Sequence, residues 1–535
     1  MRLTSWFLGT PVRARRRSID RPRSRLRGAA VVRAGVLPAF LGLLTLAPLG
    51  GCATLDARPE IERSKAAIEY ALGSPADVLL LDADAAKAKT SELLKDGLTA
   101  DEAVQLSLLN NPRARSAMLS VGVSRADFVQ STLFTNPTLA LSFRFPDGGG
   151  LANFEMGLSQ NIAELWLIPS RMEVAQRQLD RTVLQAAATI ASIAYDARRA
   201  YAATAKAREE EAIAREVLGL AEQLHEVARL RREAGSGSEI DVNLARTKQL
   251  ELQTALRVAR LATIEGYTDL FRVLGIADGP ETLQLAESLP EPSEWNVSPD
   301  ALQQIARENR LDLKIAEQTV GEALARVEEE RARFLKSLEV GLALERAERR
   351  SDGGRNWAQE TFYDSLQSGQ LTPPNLMPQP DQGDDVIIGP TFGIELPLWD
   401  QNQAQIRKAE LHAQQALQLR DALLIDAAQD IHSRLARART AAENALFYRD
   451  ELLPAAERNV ALARESYKSG HASFVSVLEA ERSYLAARGG SVDALASAAV
   501  ATIELEQVTG RPASALLQSE STDSTAGPSR PEVQP

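Results

Sequence analysis

Long stretches of the chain carry apolar residues at spacings of three and four, the period of an amphipathic helix. Residues 172–232 hold no proline and a single glycine, Gly219, and the apolar positions include Leu179, Val183, Ile190 and Ala197. A helix of this length would extend roughly 90 Å at about 1.5 Å per residue, which is typical of a coiled-coil rod. A second long helix is predicted over 403–468, with a kink at Pro454.

Four short segments show the other period, with apolar and polar residues in alternation. Two of them flank Gly148 to Gly150, and two flank a polar insertion, Arg349 to Asp385, which is predicted to be a loop. Amphipathic strands of this kind suit a β-barrel wall that faces lipid on one side and water on the other. An ordinary antiparallel sheet packed on a helix explains the alternation equally well.

The pattern of helices and a hairpin occurs twice along the sequence. Asn110 and Gly122 recur as Asn309 and Gly321 at an offset of 199, and a later set recurs at an offset of 235. The pairs in the later set are Gly235 with Gly470, Ser238 with Ser473, Val242 with Val477 and Gly275 with Gly510. The difference of 36 places the extra residues in the insertion of the second copy. We therefore predict a first repeat over 96–285 and a second repeat over 286–513.

The duplication favours the barrel over the packed sheet, because both hairpins lie between helices too long to form a compact core. Four strands are too few to close a membrane barrel, since the smallest have about eight and open edges are not tolerated in lipid. The sequence therefore predicts that several chains assemble.

The first residues predict export. Residues 1–51 hold ten arginines and one acid, whereas the whole chain has a net charge of −11. A basic stretch followed by the apolar run Ala34 to Gly50 has the order of a secretory signal peptide. Leu49 to Cys52 resembles the lipobox of bacterial lipoproteins, so we predict a signal peptide over 1–51 and lipidation at Cys52. An unpaired cysteine without a role is the alternative.

Residues 52–95 are then a lipid-anchored N-terminal leader, and 514–535 form a polar tail predicted to be disordered. The acidic charge of the mature chain argues against a nucleic-acid partner. The four histidines are scattered, and the single cysteine leaves no second thiol for a zinc site. We expect no catalytic site, no metal and no cofactor, and hence no enzyme.

Five segments, taken together with their order, their spacing and the duplication, resemble the TolC-type outer-membrane efflux proteins. They are Leu98 to Ala103, Asn110 to Pro112, Asn136 to Thr138, Pro397 to Asp400 and Tyr467 to Ala480. The resemblance covers about residues 96–513. It implies a mainly α fold with a small β part. It also implies a homotrimer with an α-helical periplasmic barrel and a shared twelve-stranded transmembrane β-barrel, in which the insertion is an extracellular loop.

The resemblance also implies a function. The implied function is that of an outer-membrane channel in a tripartite export system for drugs or metal ions. Its implied partners are a periplasmic adaptor (membrane fusion) protein and an inner-membrane pump of the RND or ABC type. Two alternatives stay open from the residues: the exit duct of a type I protein-secretion system, and a lipid-anchored coiled-coil protein without a pore. The substrate, pump and adaptor are not named by the sequence.

In the family, the gate lies at the periplasmic tips of the helix pairs, here near 231–241 and 467–479. Asp241 and Glu479 are the acids predicted to line it, because a ring of carboxylates attracts cations. Ordinary solvated helix charges are the alternative. The residues assigned to the tip turns and to adaptor docking are Gly235, Gly237, Tyr467, Gly470 and Ser473.

Overall fold

The computed structural model describes residues 55–80, 83–95, 97–145, 153–277, 283–349, 357–373 and 383–517. Cys52, the predicted signal peptide and most of the predicted tail lie outside the described residues. Among the residues that are described, no helix has the length and hydropathy needed to cross a membrane.

The chain forms its elements in two similar series. The N-terminal part has α1 (Arg58–Leu72), a 3-10 turn (Asp77–Leu80) and α2 (Ala83–Leu93). The first repeat has α3 (Ala100–Asn110), α4 (Pro112–Thr132), β1 (Thr138–Arg144), β2 (Asn153–Asn161), α5 (Glu164–Glu233) and α6 (Glu239–Leu274). The second has α7 (Pro299–Asn309), α8 (Leu311–Ala332), β3 (Leu338–Arg349), α9 (Trp357–Ser368), β4 (Gly383–Ile394), α10 (Gln403–Phe447), a π-helical turn (Tyr448–Leu452), α11 (Leu453–Lys468) and α12 (Phe474–Thr509).

The sheet confirms the alternation seen in the sequence. Its four strands are antiparallel in the order β1-β2-β3-β4. The register aligns the apolar side chains of all four strands on one face, as in the row Leu141, Met156, Leu344 and Ile388. Because side chains on a strand alternate between faces, the small and polar residues share the other face. One face of the sheet is therefore largely apolar, with Arg346 and Gln160 among its polar members.

Two matching joints show that the duplication holds in three dimensions. Gly275 ends α6 with φ +71° and lies against the α3–α4 junction, where an added Cβ would be 2.8 Å from the carbonyl oxygen of Asn110. Gly510 ends α12 with φ +67° and lies against the α7–α8 junction, with an added Cβ 3.0 Å from that of Asn309. The glycines are 235 residues apart and the asparagines are 199 residues apart, and both offsets correspond to the same corner of the fold, which occurs once in each repeat.

The core lies around these joints. Leu98, Leu270 and Leu274 are fully buried, and they pack with residues of α5 and α12 such as Tyr201 and Val492. A second cluster joins α1 to α3, α4 and α5, and a third joins Trp295 and α7 to α10 and α12.

Three sequence predictions about boundaries need correction. Helix α5 begins at Glu164, not at 172, and includes Pro169 as an internal residue in its second turn. The insertion is not a loop throughout: β3 and β4 extend into it, and it contains α9. Residues 514–517 of the predicted tail are helical, and Leu516 is buried. The leader predicted over 52–95 stays a prediction; it contains α1, whose Ile68 and Leu72 are buried in the core.

Candidate functional site

The two interhelical turns share one backbone design. In the first, the N–H of Ser236 donates to the carbonyl of Arg231 (2.9 Å) and Gly235 has φ +79°. In the second, the N–H of His471 donates to the carbonyl of Ser466 (2.8 Å) and Gly470 has φ +80°. A helix commonly ends on a left-handed glycine in this way, because glycine has no Cβ to clash. The two tips are thus equivalent turns, as the repeat predicts.

Serine starts the outgoing helix at both tips. The Ser238 hydroxyl accepts from the N–H of Asp241 (3.1 Å), and the Ser473 hydroxyl accepts from the N–H of Ser476 (3.3 Å). These are N-cap bonds, which satisfy helix N–H groups that have no partner within the helix. Gly237 packs tightly, since an added Cβ would lie 2.9 Å from the backbone nitrogen of Arg232. Gly237 is therefore a structural turn residue.

A small core joins the two tips to each other. Its buried members are Ala228, Ala245, Tyr467, Phe474 and Val477, drawn from α5, α6, α11 and α12. The rings of Tyr467 and Phe474 have centroids 5.6 Å apart. Burial is the main reason why the pKa of the Tyr467 phenol is raised above its usual value. Tyr467, predicted as a docking residue, therefore lies inside this tip core.

Arg231 connects the first tip to the second. Its guanidinium lies over the Tyr467 ring, 4.5 Å from the centroid, and donates from Nη1 to the Tyr467 carbonyl at 2.8 Å. A charged donor bonded to the end of a neighbouring helix also interacts favourably with the negative end of the helix dipole. We call the contact between Arg231 and Tyr467 the tip clasp.

The two predicted gate acids differ in surroundings. Asp241 accepts from the N–H of Ser238 (3.4 Å), which completes a capping box, and it is half-buried. Glu479 is exposed, and its carboxylate makes no hydrogen bond or ion pair with the residues that are described. Local helix capping thus accounts for Asp241, and its repeat partner Ser476 has the same capping position.

Most other acids of the first tip are neutralised by arginines of the same chain. Arg229 pairs with Glu226 (2.6 Å) and Glu233 (2.7 Å), and Arg232 pairs with Glu239 (2.6 Å). Near Glu479, Glu481 pairs with Arg464 at 3.0 Å, and its pKa is raised chiefly by burial. Glu479 is therefore a tip carboxylate with an uncompensated charge.

Three features of the tips were not found from the sequence. Arg231 was included in the tip region without a role, and Phe474 was not singled out. Ile240 and Val475 occupy the same place in the two repeats and are 70% and 54% exposed. The offset of 235 could have revealed this pair in the sequence, since it aligns the apolar second residue of α6 with the apolar second residue of α12.

The helices pack in two rows, one beside the sheet and one towards the tips. Beside the sheet, packing contacts run α4, α5, α8 and α10, which matches the strand order. Towards the tips they run α6, α5, α12 and α11. The row of strands and the two rows of helices therefore each have two outer members. They are β1 and β4 in the sheet, α4 and α10 beside the sheet, and α6 and α11 towards the tips.

The outer helices expose large apolar side chains. On α4 they are Leu119 and Val123, on α10 Leu411, Leu419 and Ile425, on α6 Val258, Leu261 and Ile264, and on α11 Leu462. Large apolar groups in contiguous exposed stripes mark surfaces that contact another molecule.

Comparison with known proteins identifies the fold. Residues 302–511 match the model of the outer membrane efflux protein family. The Campylobacter jejuni CmeC outer membrane channel is 16% identical, with a TM-score of 0.60 over 82% of this chain and 91% of that one. CusC (19% identical, TM-score 0.59, 77% and 91% covered) and the outer-membrane channel OprN (17%, 0.59, 77% and 90%) are also similar. No match was found among curated protein sequences.

The chain thus has the fold of outer-membrane channels, mainly helical with a small sheet, as predicted. Its resemblance to the TolC-type outer-membrane efflux proteins is confirmed. Within the described part of the chain, no group of histidine, cysteine, aspartate or glutamate is arranged to hold a metal ion.

Proposed function

We propose that this protein is the outer-membrane channel of a tripartite export system. As a homotrimer it would pass small molecules, drugs or metal ions, from a periplasmic adaptor and an inner-membrane pump of the RND or ABC type to the exterior. It would be anchored by lipid at Cys52, with its helices in the periplasm. The family match and the fold of the structural neighbours support this proposal.

A single observation carries this proposal: the sheet and the two helix rows have their outer members on the same two sides of the chain. If β4 of one copy pairs with β1 of the next, then α10 meets α4 and α11 meets α6 in the same step. One head-to-tail contact would therefore cover all the exposed apolar stripes. Contacts of this heterologous type generate a closed ring when the rotation closes. Three copies would supply twelve strands, above the roughly eight of the smallest membrane barrels.

The apolar face of the sheet fits the outside of such a barrel. Leu139, Leu141 and Phe143 on β1 are more than half exposed in the single chain, as are Ile387, Phe392 and Ile394 on β4. Ile387 is an exception, since it lies opposite Glu345 on the polar face. In a closed barrel most of these side chains would meet lipid, and the polar face would line a path for water.

We further propose that Glu479 and Asp241 line the periplasmic gate and favour cations. A ring of exposed, uncompensated carboxylates lowers the energy of a cation at a constriction and raises that of an anion. Glu479 is the stronger candidate, because Asp241 is engaged in helix capping. The tip turns, with exposed Ile240 and Val475, are the surface offered to the adaptor.

The experiment uses the full-length protein, purified from membranes and reconstituted in planar bilayers. We expect trimers that resist detergent, cation-selective conductance, and reduced selectivity in Glu479→Ala and in the double variant with Asp241→Ala. Glu226→Ala is the matched control, since that acid is already paired with Arg229. Monomers without conductance would refute the channel; unchanged selectivity in the double variant would refute only the gate assignment.

A second measurement addresses the anchor. Radiolabelled palmitate should be incorporated by the wild type and not by Cys52→Ala, since no other cysteine is present. Equal labelling of the two proteins would exclude Cys52 as the lipidation site.

A further inference from the structure

A cavity of about 880 Å³ lies at the joint of the first repeat. Its lining comes from the end of α1, the start of α3, the middle of α5, the last turns of α12 and the connection between the repeats. Ligand sites in proteins usually have volumes of about 300–1,000 Å³, so this space suits a small organic molecule. We call it the joint cavity.

One part of the lining is apolar. It is formed by side chains that the helices bury: Leu72 of α1, Ala202 and Ala205 of α5, and Ala499 and Ile503 of α12. Most of these residues are alanines, whose small side chains leave room between the helices. An apolar group placed against this part of the lining would be removed from water, which favours binding.

The connection between the repeats forms a second, fixed part of the lining. The N–H of Leu98 donates to the carbonyl of Gln284, and the N–H of Ala286 donates to the carbonyl of Leu98, both at 2.8 Å. The N–H of Glu287 then donates to the hydroxyl of Tyr201 at 3.2 Å. A wall that is already held in place reduces the ordering that a ligand must bring about on binding.

Acids predominate among the charged residues of the lining. The single cation is Arg198, and the acids are Asp101, Glu287, Glu291 and Glu506. Arg198 is 2.9 Å from the carboxylate of Glu506 and 3.5 Å from that of Asp101. Glu291 is paired at 2.8 Å with Arg449, which lies outside the lining. After these two arginines are counted against the four acids, two negative charges remain in excess.

Asp101 and Glu287 are the acids most open to a ligand. The side chain of Asp101 is 70% exposed. Glu287 is also exposed, and its Oε2 accepts from the N–H of Ala100 at 3.3 Å. Glu506, in contrast, is buried and is bonded to Arg198. Carboxylates at a cleft raise the local concentration of cations and lower that of anions.

We propose that the joint cavity binds an organic cation with an apolar body, whose charged group lies near Asp101 and Glu287. The apolar lining would hold the body, and the excess negative charge would exclude an anion of the same shape. The site lies within one chain and at a distance from the tips. It therefore goes beyond the proposed channel function and does not depend on it.

The first test compares two dyes of similar ring structure and opposite charge. Rhodamine 6G is a cationic xanthene and fluorescein an anionic one. Their fluorescence anisotropy is measured with the full-length protein in a non-ionic detergent, and protein-free micelles serve as the blank. We expect saturable binding of rhodamine 6G and at least about tenfold weaker binding of fluorescein. Equal affinities, or no saturable binding of rhodamine 6G, would overturn the proposal. Conductance does not enter this measurement, so its outcome and that of the channel experiment are separate.

The second test uses two substitutions to locate the dye in the joint cavity. Glu287→Gln removes one charge and keeps an oxygen that can accept from the N–H of Ala100. It should weaken binding of rhodamine 6G by roughly fivefold. Thr502→Phe changes no charge but places a ring in the cavity from the half-buried side of α12. It should abolish saturable binding while the midpoint of denaturant unfolding stays near that of the wild type.

Glu294→Gln is the matched control for the charge substitution. Glu294 is an exposed acid of the same connection, and it lies outside the lining of the joint cavity. Its substitution should leave binding of rhodamine 6G unchanged. Equal losses in Glu287→Gln and Glu294→Gln would indicate a general effect of surface charge and would overturn the site. Wild-type affinity in both Glu287→Gln and Thr502→Phe would place the dye elsewhere, with the same consequence.

Discussion

The joint between the repeats and the tips differ in what holds them together. At the joint, Gly275 and Gly510 close against buried helix corners, and the buried Glu506 carboxylate accepts from Arg198 (2.9 Å) and from the N–H of Ala513 (2.7 Å). At the tips, one small core and the contact between Arg231 and Tyr467 join the two helix pairs, and the exposed ion pairs lie within each helix pair. Exposed pairs contribute little, so the same repeat unit is firm at one end and easily opened at the other.

The largest effect is expected from filling the joint. Gly275→Ala places a Cβ within 2.8 Å of the Asn110 carbonyl, and it puts alanine at a φ of +71°. The left-handed conformation alone costs about 1–3 kcal/mol, and the collision with backbone adds to it. We expect a marked loss of stability, measured as a lower midpoint of denaturant unfolding.

Gly219→Ala is the control for that substitution. Its position is helical and its Cβ would meet open space, so alanine should stabilise the helix by up to about 1 kcal/mol. A Gly275→Ala protein as stable as the wild type would show that the corner is not closely packed, and the contrast between joint and tips would fail.

The next effect is local to the tips. Phe474 is 2% exposed whereas its neighbour Val475 is 54% exposed. Truncation of a buried phenylalanine costs about 3–5 kcal/mol, so Phe474→Ala should open the tip core and speed proteolysis at both turns. Val475→Ala should leave the cleavage rate near that of the wild type. Equal cleavage of the two variants would show that this core does not hold the tips together.

Much of the fold was predictable because it has regular periods. The apolar spacing predicted the long helices, the alternation predicted the strands, and the two offsets located the corners at Gly275 and Gly510. The π turn was only partly foreseen. Pro454 predicted an interruption, but the wider turn begins upstream at Tyr448, where no residue type marks it. Helix α9 was missed because prolines and glycines dominate the insertion around it.

The sequence predicted the location of the site better than the contacts within it. Gly235 and Gly470 were predicted as turn residues from local backbone chemistry, and both have a positive φ in the turns. Ser473 was assigned to the tip turns and adaptor docking, and in the structure it caps a helix. The packing of Tyr467 against Arg231 joins residues 236 positions apart, and no local pattern encodes such a contact. Whether Asp241 caps a helix or lines a gate also depends on neighbouring copies, so the acid alone does not distinguish the two.

The smallest effect is a change in pH dependence at the joint. Burial raises the pKa of the Glu506 carboxyl above its ordinary value of 4.5, although Arg198 opposes this effect. A carboxyl with a raised native pKa binds its proton more readily in the folded state than in the unfolded state. Its contribution to stability therefore falls as pH rises from about 4.5 through the native pKa, and it recovers on acidification.

Glu506→Gln removes this titration while keeping the shape and the acceptor for the N–H of Ala513. Both proteins share every other titrating group, so the difference between their free energies of unfolding isolates residue 506. Between pH 7 and pH 5 that difference should move in favour of the wild type, by about 1 kcal/mol or less. A difference that is constant across this range would mean that Arg198 fully compensates the burial of the carboxylate. The joint would then contain a balanced ion pair, and its apolar packing alone would distinguish it from the tips.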